Sequence, residues 1–451
     1  MKRNLTVILA LLGVSILSAQ ESGVTALSLK ESVRQAVEKN INMVKAQIDK
    51  EKNDYKVSEA RSALFPKINA SGNFQDNLQL PTTMIPGEIF GQPGTNIPVQ
   101  LGSPYSAAAT VSLNQILYNQ TAFTALKLSK RLEELSNLSI EKASEELAGE
   151  VSKLYFLTLT TARQKALVEE NITRIQRLRD ITQLVVNSGM GKKVDYDRIS
   201  VNLENLYTQL SNIDAAHQQQ LNMIKYLLEI PLQETIILTD TAEIPLLQQS
   251  PVLKSDFSDH IDIQMLESQK EINLLNWKTI NSGYYPALSF TGQYAYQGLR
   301  KEFKNYFQSS PENKWFNSSY IGLNLSIPIF DGFEKRSKAR QVQLDFQKTS
   351  ATLDNTKERL DVNYQNALNN YQNNRNNVQR QKQNIVLAEK VYMETALKYR
   401  EGLASLSDLL QDEMGLNNAQ SGYLNALFNF KEAELQIMLL NGEIKNLIGK
   451  K

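Results

Sequence analysis

The sequence predicts a mostly helical protein with membrane-type β-strands, built as two tandem repeats that each join one β-strand pair to one long α-helical hairpin. Three observations predict it. The first is the repeat: Phe65-Pro66 with Gly72 and Tyr285-Pro286 with Gly292 lie 220 positions apart, Leu117-Tyr118-Asn119 and Ile329-Phe330-Asp331 lie 212 apart, and Gly189 with Asp195 and Gly402 with Asp408 lie 213 apart. Duplication with small changes in loop length produces such offsets. The second is four runs in which apolar and polar residues alternate, and the third is two very long Pro-free stretches with a seven-residue apolar repeat.

In chain order, Met1-Lys2-Arg3-Asn4, the apolar Leu5 to Leu17, and small Ser18 and Ala19 before Gln20 read as a signal peptide over 1–19, although Leu17 is large for its place. The first repeat is expected over 20–229, with a helix over 28–64, strands over 66–80 and 105–118, and long helices over 120–188 and 193–229. A connector with Pro231, Pro245 and Pro251 covers 230–258 and is expected to form, with 442–451, a small belt around the helices. The second repeat covers 259–451, with a helix over 261–282, strands over 286–300 and 319–330, and long helices over 332–401 and 405–441.

In the first strand Ile68, Ala70, Phe74, Leu78 and Leu80 oppose Asn69, Ser71, Asn73, Gln75, Asn77 and Gln79; in the second, Tyr105, Ala107, Ala109, Val111, Leu113 and Leu117 oppose Ser106, Thr110, Ser112 and Asn114. Leu288, Phe290, Tyr294 and Tyr296 oppose Ser289, Thr291, Gln293 and Gln297, and Ile321, Leu323, Leu325, Ile327 and Ile329 oppose Asn324 and Ser326. Asp76 and Gln115 disturb the pattern. Period two means one apolar and one wet face. A sheet on a soluble core would also alternate, but these runs are about 10 to 13 residues, the length a tilted strand needs to cross a bilayer, against about 5 to 6 in soluble proteins. Aromatics stand at the run ends, and connections are short on the helix side and long on the other, around 81–104 and 301–318, as in outer-membrane barrels. Four strands cannot close a barrel, which needs about eight, and open edges in lipid cost several kcal/mol per unpaired group. The chain must therefore oligomerise.

The long stretches would extend roughly 100 Å as helices. Tyr364, Tyr371, Val378, Ile385, Tyr392 and Tyr399 follow a seven-residue spacing, as do Leu409, Leu416, Tyr423, Phe430 and Ile437, and the first repeat keeps that frame at Tyr196, Leu203, Leu210, His217 and Ile224. Such a repeat forces supercoiled packing against neighbouring helices. The Asn- and Gln-rich 363–384 keeps the heptad, so it reads as helix with amides turned to water, suited to the wall of an aqueous duct.

Composition excludes alternatives. Mean hydropathy is −0.36, net charge is +1, and there are no cysteines. No nucleic-acid partner is indicated, no disulfide framework exists, and no Cys follows the signal to carry a lipid. His217 is expected to pack in the heptad core, and His260 beside Asp259 and Asp262 lacks the further His or Cys of a metal site. Gly189-Met190-Gly191-Lys192-Lys193 lacks the spacing of a phosphate loop and reads as a hairpin turn. No nucleophile and base can be assembled, so no enzyme and no cofactor are expected.

Ala60-Arg61-Ser62-Ala63-Leu64-Phe65-Pro66, Ile327-Pro328-Ile329-Phe330-Asp331-Gly332 and the tip Tyr399-Arg400-Glu401-Gly402, followed by Leu406-Ser407-Asp408-Leu409-Leu410, resemble the TolC-type outer-membrane efflux proteins from end to end. The resemblance implies a homotrimer with a twelve-stranded β-barrel in outer-membrane lipid and an α-helical barrel in the periplasm. It implies a passive exit duct that docks a periplasmic adaptor, serving an inner-membrane pump of RND or ABC type. It makes Asp408 the gate candidate, with Gln411 at the family's second acidic position and Asp412 one place on. It makes Asp195, Tyr399 and Arg400 a tip latch, although Ala404 stands where relatives carry Arg, leaving Arg400, Lys192 or Arg198 as substitutes. Gly189, Gly402, Leu403 and Ser405 are expected at the adaptor-docking tip. The competing reading is a structural or adhesive coiled-coil surface protein without transport; an adaptor itself would show one hairpin and Gly-rich lipoyl halves.

Overall fold

The structure is a computed structural model that describes residues 24–247, 251, 256–308 and 310–449. The expected signal peptide lies outside the described residues. In order, the elements are β1 (Thr25–Leu27), α1 (Leu29–Lys39), α2 (Ile41–Ser62), β2 (Lys67–Asp76), β3 (Thr82–Pro86), β4 (Asn96–Gln100), β5 (Tyr105–Tyr118), α3 (Gln120–Asn187), α4 (Lys193–Leu227), β6 (Ile236–Leu238), α5 (Ile261–Ser282), β7 (Ala287–Arg300), β8 (Trp315–Ser326), α6 (Glu334–Arg400), α7 (Leu406–Asn441) and α8 (Lys445–Ile448). Among the described residues no helix is long and apolar enough to cross a membrane. The chain divides into two compact units, one made of Ala46–Ile140 and Ile261–Lys357, the other of the preceding segment to Lys45, Glu141–His260 and the chain from Glu358 on.

The first unit holds an antiparallel sheet in the order β2-β5-β7-β8. Its register aligns Phe74, Ala107, Gly298 and Trp315 across all four strands. Residues two apart share a face, so Ile68, Val111, Leu113, Phe290, Ile321, Leu323 and Leu325 share one face, and Asn69, Ser71, Thr110, Ser112, Thr291, Gln293, Asn324 and Ser326 the other. Gln115 falls opposite Phe290 on the apolar face, and the register slips between Ile116 and Tyr118. Its amide donates to Leu64 O at 2.7 Å and Ile116 O at 2.8 Å, which satisfies it at the sheet's end.

Four features differ from the sequence reading. The first strand of the sheet runs Lys67–Asp76 and not 66–80, so Leu78 and Leu80 lie beyond its ladder. The last strand runs Trp315–Ser326 and not 319–330. Its ladder ends at Ser326 opposite Ala287, shortly before Pro328, which has no N–H to give. The 81–104 connection, expected only as a long one, holds a hairpin of β3 with β4. The helix expected over 28–64 breaks at Asn40, whose side chain, 2% exposed, donates to Leu227 O at 3.0 Å and accepts from Asn42 N at 2.9 Å. Both repeats place a side-chain acceptor at the matched position before their long helix, directly before α3 in the first and three residues before α6 in the second. Asn119 accepts from Ala122 N at 3.2 Å, and Asp331 accepts from Phe333 N at 3.1 Å and Lys335 N at 3.3 Å.

In the second unit β1 pairs with β6 in parallel. Tyr155 donates to Leu27 O or Asp240 Oδ2, each at 2.9 Å, and the same Asp240 oxygen accepts from Leu29 N at 2.6 Å, tying the start of α1 to β6 and α3. Burial, then the Asp240 carboxylate, pushes the Tyr155 hydroxyl well above its ordinary value. Buried Lys431 pairs with Glu434 at 2.7 Å and donates to Ile244 O at 2.6 Å, fastening the connector to α7. Of the heptad residues on α4, Leu203 and Ile224 are buried, as are Ile199, Leu206, Ile213 and Leu227, each three residues after a heptad position, and on α6 Tyr364 and Tyr371. His217 is half-buried, and desolvation lowers its pKa.

Candidate duct wall and tip site

The sheet supplies one candidate functional surface, a continuous polar face of amides and hydroxyls backed by a continuous apolar face. Among the described residues, the outer edges of β2 and β8 have no strand partner. The order of four strands matters: with an even number, the two edges run in opposite directions, so an edge like β2 is matched in direction to pair antiparallel with an edge like β8.

The hairpin tips supply the other. At the first, α3 ends with Gly189 at φ +78°, Gly189 N donating to Val186 O at 3.0 Å and Met190 N to Val185 O at 3.1 Å. At the second, Gly402 has φ +76°, with Gly402 N on Tyr399 O at 3.1 Å and Leu403 N on Lys398 O at 2.8 Å. Every atom pair matches across the duplication, and only glycine takes that left-handed position without strain. Met190 and Leu403 follow the glycines and are 81% and 75% exposed.

The gate candidate Asp408 is exposed in the first turn of α7 and closes a capping box: Ser405 Oγ accepts from Asp408 N at 3.2 Å, while Asp408 Oδ2 accepts from Ser405 N at 3.0 Å and Ser405 Oγ at 2.7 Å. The Ser405 hydroxyl, then its backbone N–H, holds the Asp408 carboxyl below the usual range. Oδ1 takes part in none of these bonds. Gln411 is exposed and Asp412 half-buried on the same helix.

The latch candidates Asp195, Tyr399 and Arg400 line one cavity of about 760 Å³ together with Lys192 and Ala404. Among the described residues no hydrogen bond joins Asp195 to Tyr399 or Arg400. Tyr399 packs instead on the core of Ile175, Ile199, Leu203 and Leu406. Two other links connect the hairpins there. Arg198 Nη1 donates to Ser407 Oγ at 3.0 Å. Arg174 donates to Glu413 Oε1 from Nη2 at 2.9 Å and from Nε at 3.3 Å, with its guanidinium 5.9 Å from the Tyr392 ring centroid. Glu413 is 1% exposed and lines the cavity, so this pair sits on a buried acid in the cavity wall. Burial, then the Glu413 charge, raises the Tyr392 hydroxyl pKa. Sequence reasoning missed Arg174 and Glu413. The available signal was a charge four residues after Leu409, on the helix face that Leu409 and Leu416 bury.

Comparison with known proteins agrees with this geometry. The family model described as "Outer membrane efflux protein" matches residues 32–228 and 267–443, one segment per repeat. Outer membrane protein TolC of Escherichia coli strain K12 is 22% identical over 446 residues, covering 95% of this chain and 84% of the relative; that of Vibrio cholerae O1 is 19% identical, covering 93% and 92%. Among solved structures, the open-state Neisseria gonorrhoeae MtrE outer membrane channel gives a TM-score of 0.74 at 16% identity, covering 92% of this chain and 88% of that one, and VceC of Vibrio cholerae gives 0.71 at 13%, covering 92% and 96%. The family is one of channels and not an enzyme class. This chain belongs to the outer membrane efflux protein family, as an exit channel in the bacterial outer membrane whose helical part lies in the periplasm.

Proposed function

We propose that three copies close their sheets edge to edge into a twelve-stranded barrel and their hairpins into a helical barrel, forming a passive duct that receives substrate from a periplasmic adaptor and an inner-membrane pump of RND or ABC type. The observation that carries this is the four-stranded antiparallel sheet with one apolar face, one polar face and two unpaired edges of opposite direction. In lipid those edges require partners, and three copies leave a polar lumen where two would close on side chains alone. Mass measurement of the full chain in mild detergent should return a trimer. A stable monomer would contradict the closure.

At the tips, the matched exposed apolar residues Met190 and Leu403, presented by Gly189 and Gly402 and followed by Ser405, support an adaptor-docking role. The gate reading assigns a ring of three Asp408 carboxylates to the duct's mouth, each pre-ionised by its capping box, with Gln411 and Asp412 on the following turn. Like charges in a narrow mouth focus the field on cations. Asp408→Asn should weaken multivalent-cation block in planar-bilayer recordings, by less at high salt; unaltered block refutes the ring. For the latch, the pairs Arg174–Glu413 and Arg198–Ser407 support a tie between hairpins that does not need an Arg at position 404, with Asp195, Tyr399 and Arg400 lining the cavity beside it.

A further inference from the structure

The strand ends away from the helices face the exterior, because the helical part is periplasmic. There the apolar face of the sheet carries a folded-back cap. Arg300 ends β7 opposite Tyr105 on that face, yet it is 3% exposed. Its guanidinium donates to the carbonyls of Asn313 at 2.5 Å, Leu299 at 2.8 Å and Lys314 at 3.2 Å, and lies 5.1 Å from the Tyr306 and 5.8 Å from the Trp315 ring centroids. Three carbonyls and two ring faces replace water around this charge. Gly298 makes room for the indole: a Cβ there would meet the Trp315 ring at 3.1 Å. Trp315 stacks on Tyr296 with centroids 5.1 Å apart, the Tyr306 hydroxyl donates to Gly298 O at 2.9 Å, and Phe74 meets Phe303 at 5.7 Å and Tyr306 at 5.8 Å.

The contacts draw the connection after β7 over the apolar face and not over the polar one. Two consequences follow for its surface. Phe303 and Phe307 are exposed, Phe307 by 79%, beyond the band of Val111, Phe290, Ile321 and Leu323. Lys301, Lys304 and Lys314 are exposed beside them, and the pairing of Lys304 with Glu302 at 2.5 Å is between two exposed groups, which is worth little. Aromatic rings at the edge of an apolar band with ammonium groups just beyond match the boundary where acyl chains give way to phosphates.

We propose that this rim binds the phosphate-bearing headgroups of outer-leaflet lipids, with the aromatic cap against the upper acyl chains and Lys301 and Lys314 on the phosphates. The surface is separate from the duct and the tips, and its test does not depend on conduction.

The purified full-length oligomer, with Trp277→Phe so that Trp315 is the single tryptophan, is placed in phosphatidylcholine nanodiscs and titrated with bisphosphorylated lipid A or with the same lipid stripped of phosphate. Trp315 emission should saturate with the bisphosphorylated lipid at a concentration on the order of tenfold lower. Lys301→Gln with Lys314→Gln should abolish most of that difference, whereas Lys338→Gln on α6 should leave it intact. Equal response to both lipids, or an unchanged difference in the double variant, overturns the proposal. Displacement by millimolar inorganic phosphate alone also overturns it, since the site would then be for a free anion.

Discussion

The two hairpin tips share a turn and differ in the residue that starts the returning helix. At 213 residues' separation they repeat the same glycine, the same pair of backbone hydrogen bonds and the same acid three residues after the N-cap. The N-cap itself is Lys192 in the first and Ser405 in the second, and only Ser405 makes a side-chain cap. The second returning helix is therefore stabilised locally by its own capping box. The first has no such device; besides contacts within its own hairpin, such as Lys165 with Asp214 and Gln176 with Tyr207, it is tied to the other hairpin through Arg198 to Ser407 and, on α3, through Arg174 to Glu413. Duplication preserved the turn because backbone geometry demands it, and left the caps free to diverge because a cap is worth only about 1 kcal/mol.

The largest expected effect comes from breaking the link on which the first hairpin relies. Arg174→Met leaves Glu413 buried without its partner, and should destabilise the helical unit by about 3 kcal/mol, the low end for a broken buried pair because Arg174 is partly exposed. Thermal unfolding of the purified channel measures it. Replacing Glu413→Gln in the same chain should recover much of the loss; if the double variant is as unstable as the single, the uncompensated charge is not the cause.

A smaller effect should follow at the second tip. Ser405→Ala removes the cap, and hydrogen exchange should rise in the first turn of α7 while the first hairpin is unaffected. The pH dependence carries a sign. The Asp408 carboxyl is held below its ordinary value of 3.8, so its contribution is fully present above that pH and is lost as pH falls through the folded value. Ser405→Ala should shrink this acid-side loss. An unchanged acid profile would mean that Ser405 does not hold the carboxylate.

The smallest effect sharpens the comparison in the other direction. Lys192→Ser places a hydroxyl three residues before Asp195, as Ser405 stands before Asp408, and should stabilise the start of α4 by about 1 kcal/mol. No gain in protection of the α4 amides would show that the two tips differ in more than their caps.

These differences bear on what was legible in the sequence. Alternation in the strands read directly as two faces because a one-residue slip would turn every side chain over, and the four-strand register agrees from Ile68 to Leu325. The heptads read as seams because the same periodicity sets packing, and they are buried at Leu203, Ile224, Tyr364, Tyr371, Leu409, Leu416 and Ile437 but half-buried at Val378, Ile385, Tyr392 and Tyr399. Asn119 and Asp331, matched only as parts of a repeat, accept backbone N–H groups where the two long helices begin. The misses are residues whose role depends on a distant partner. Asn40 breaks a helix by bonding Leu227, Glu413 meets Arg174 from 239 positions away, and Arg300 is held by the turn that follows it. Local periodicity carries no term for such pairings. For the same reason, Asp195 and Tyr399 could be matched to a latch by position while the hydrogen bonds near them run elsewhere.

The central claim, that the sheet's polar face lines an aqueous duct and its apolar face meets lipid, rests on neighbours of opposite orientation in β7. Because the chain has no cysteine, Thr291→Cys and Phe290→Cys each introduce a single thiol. In planar bilayers, a charged, membrane-impermeant thiol reagent should lower the conductance of the Thr291→Cys channel and leave the Phe290→Cys channel unchanged. Block at Phe290→Cys with none at Thr291→Cys, or equal block at both, would contradict the account.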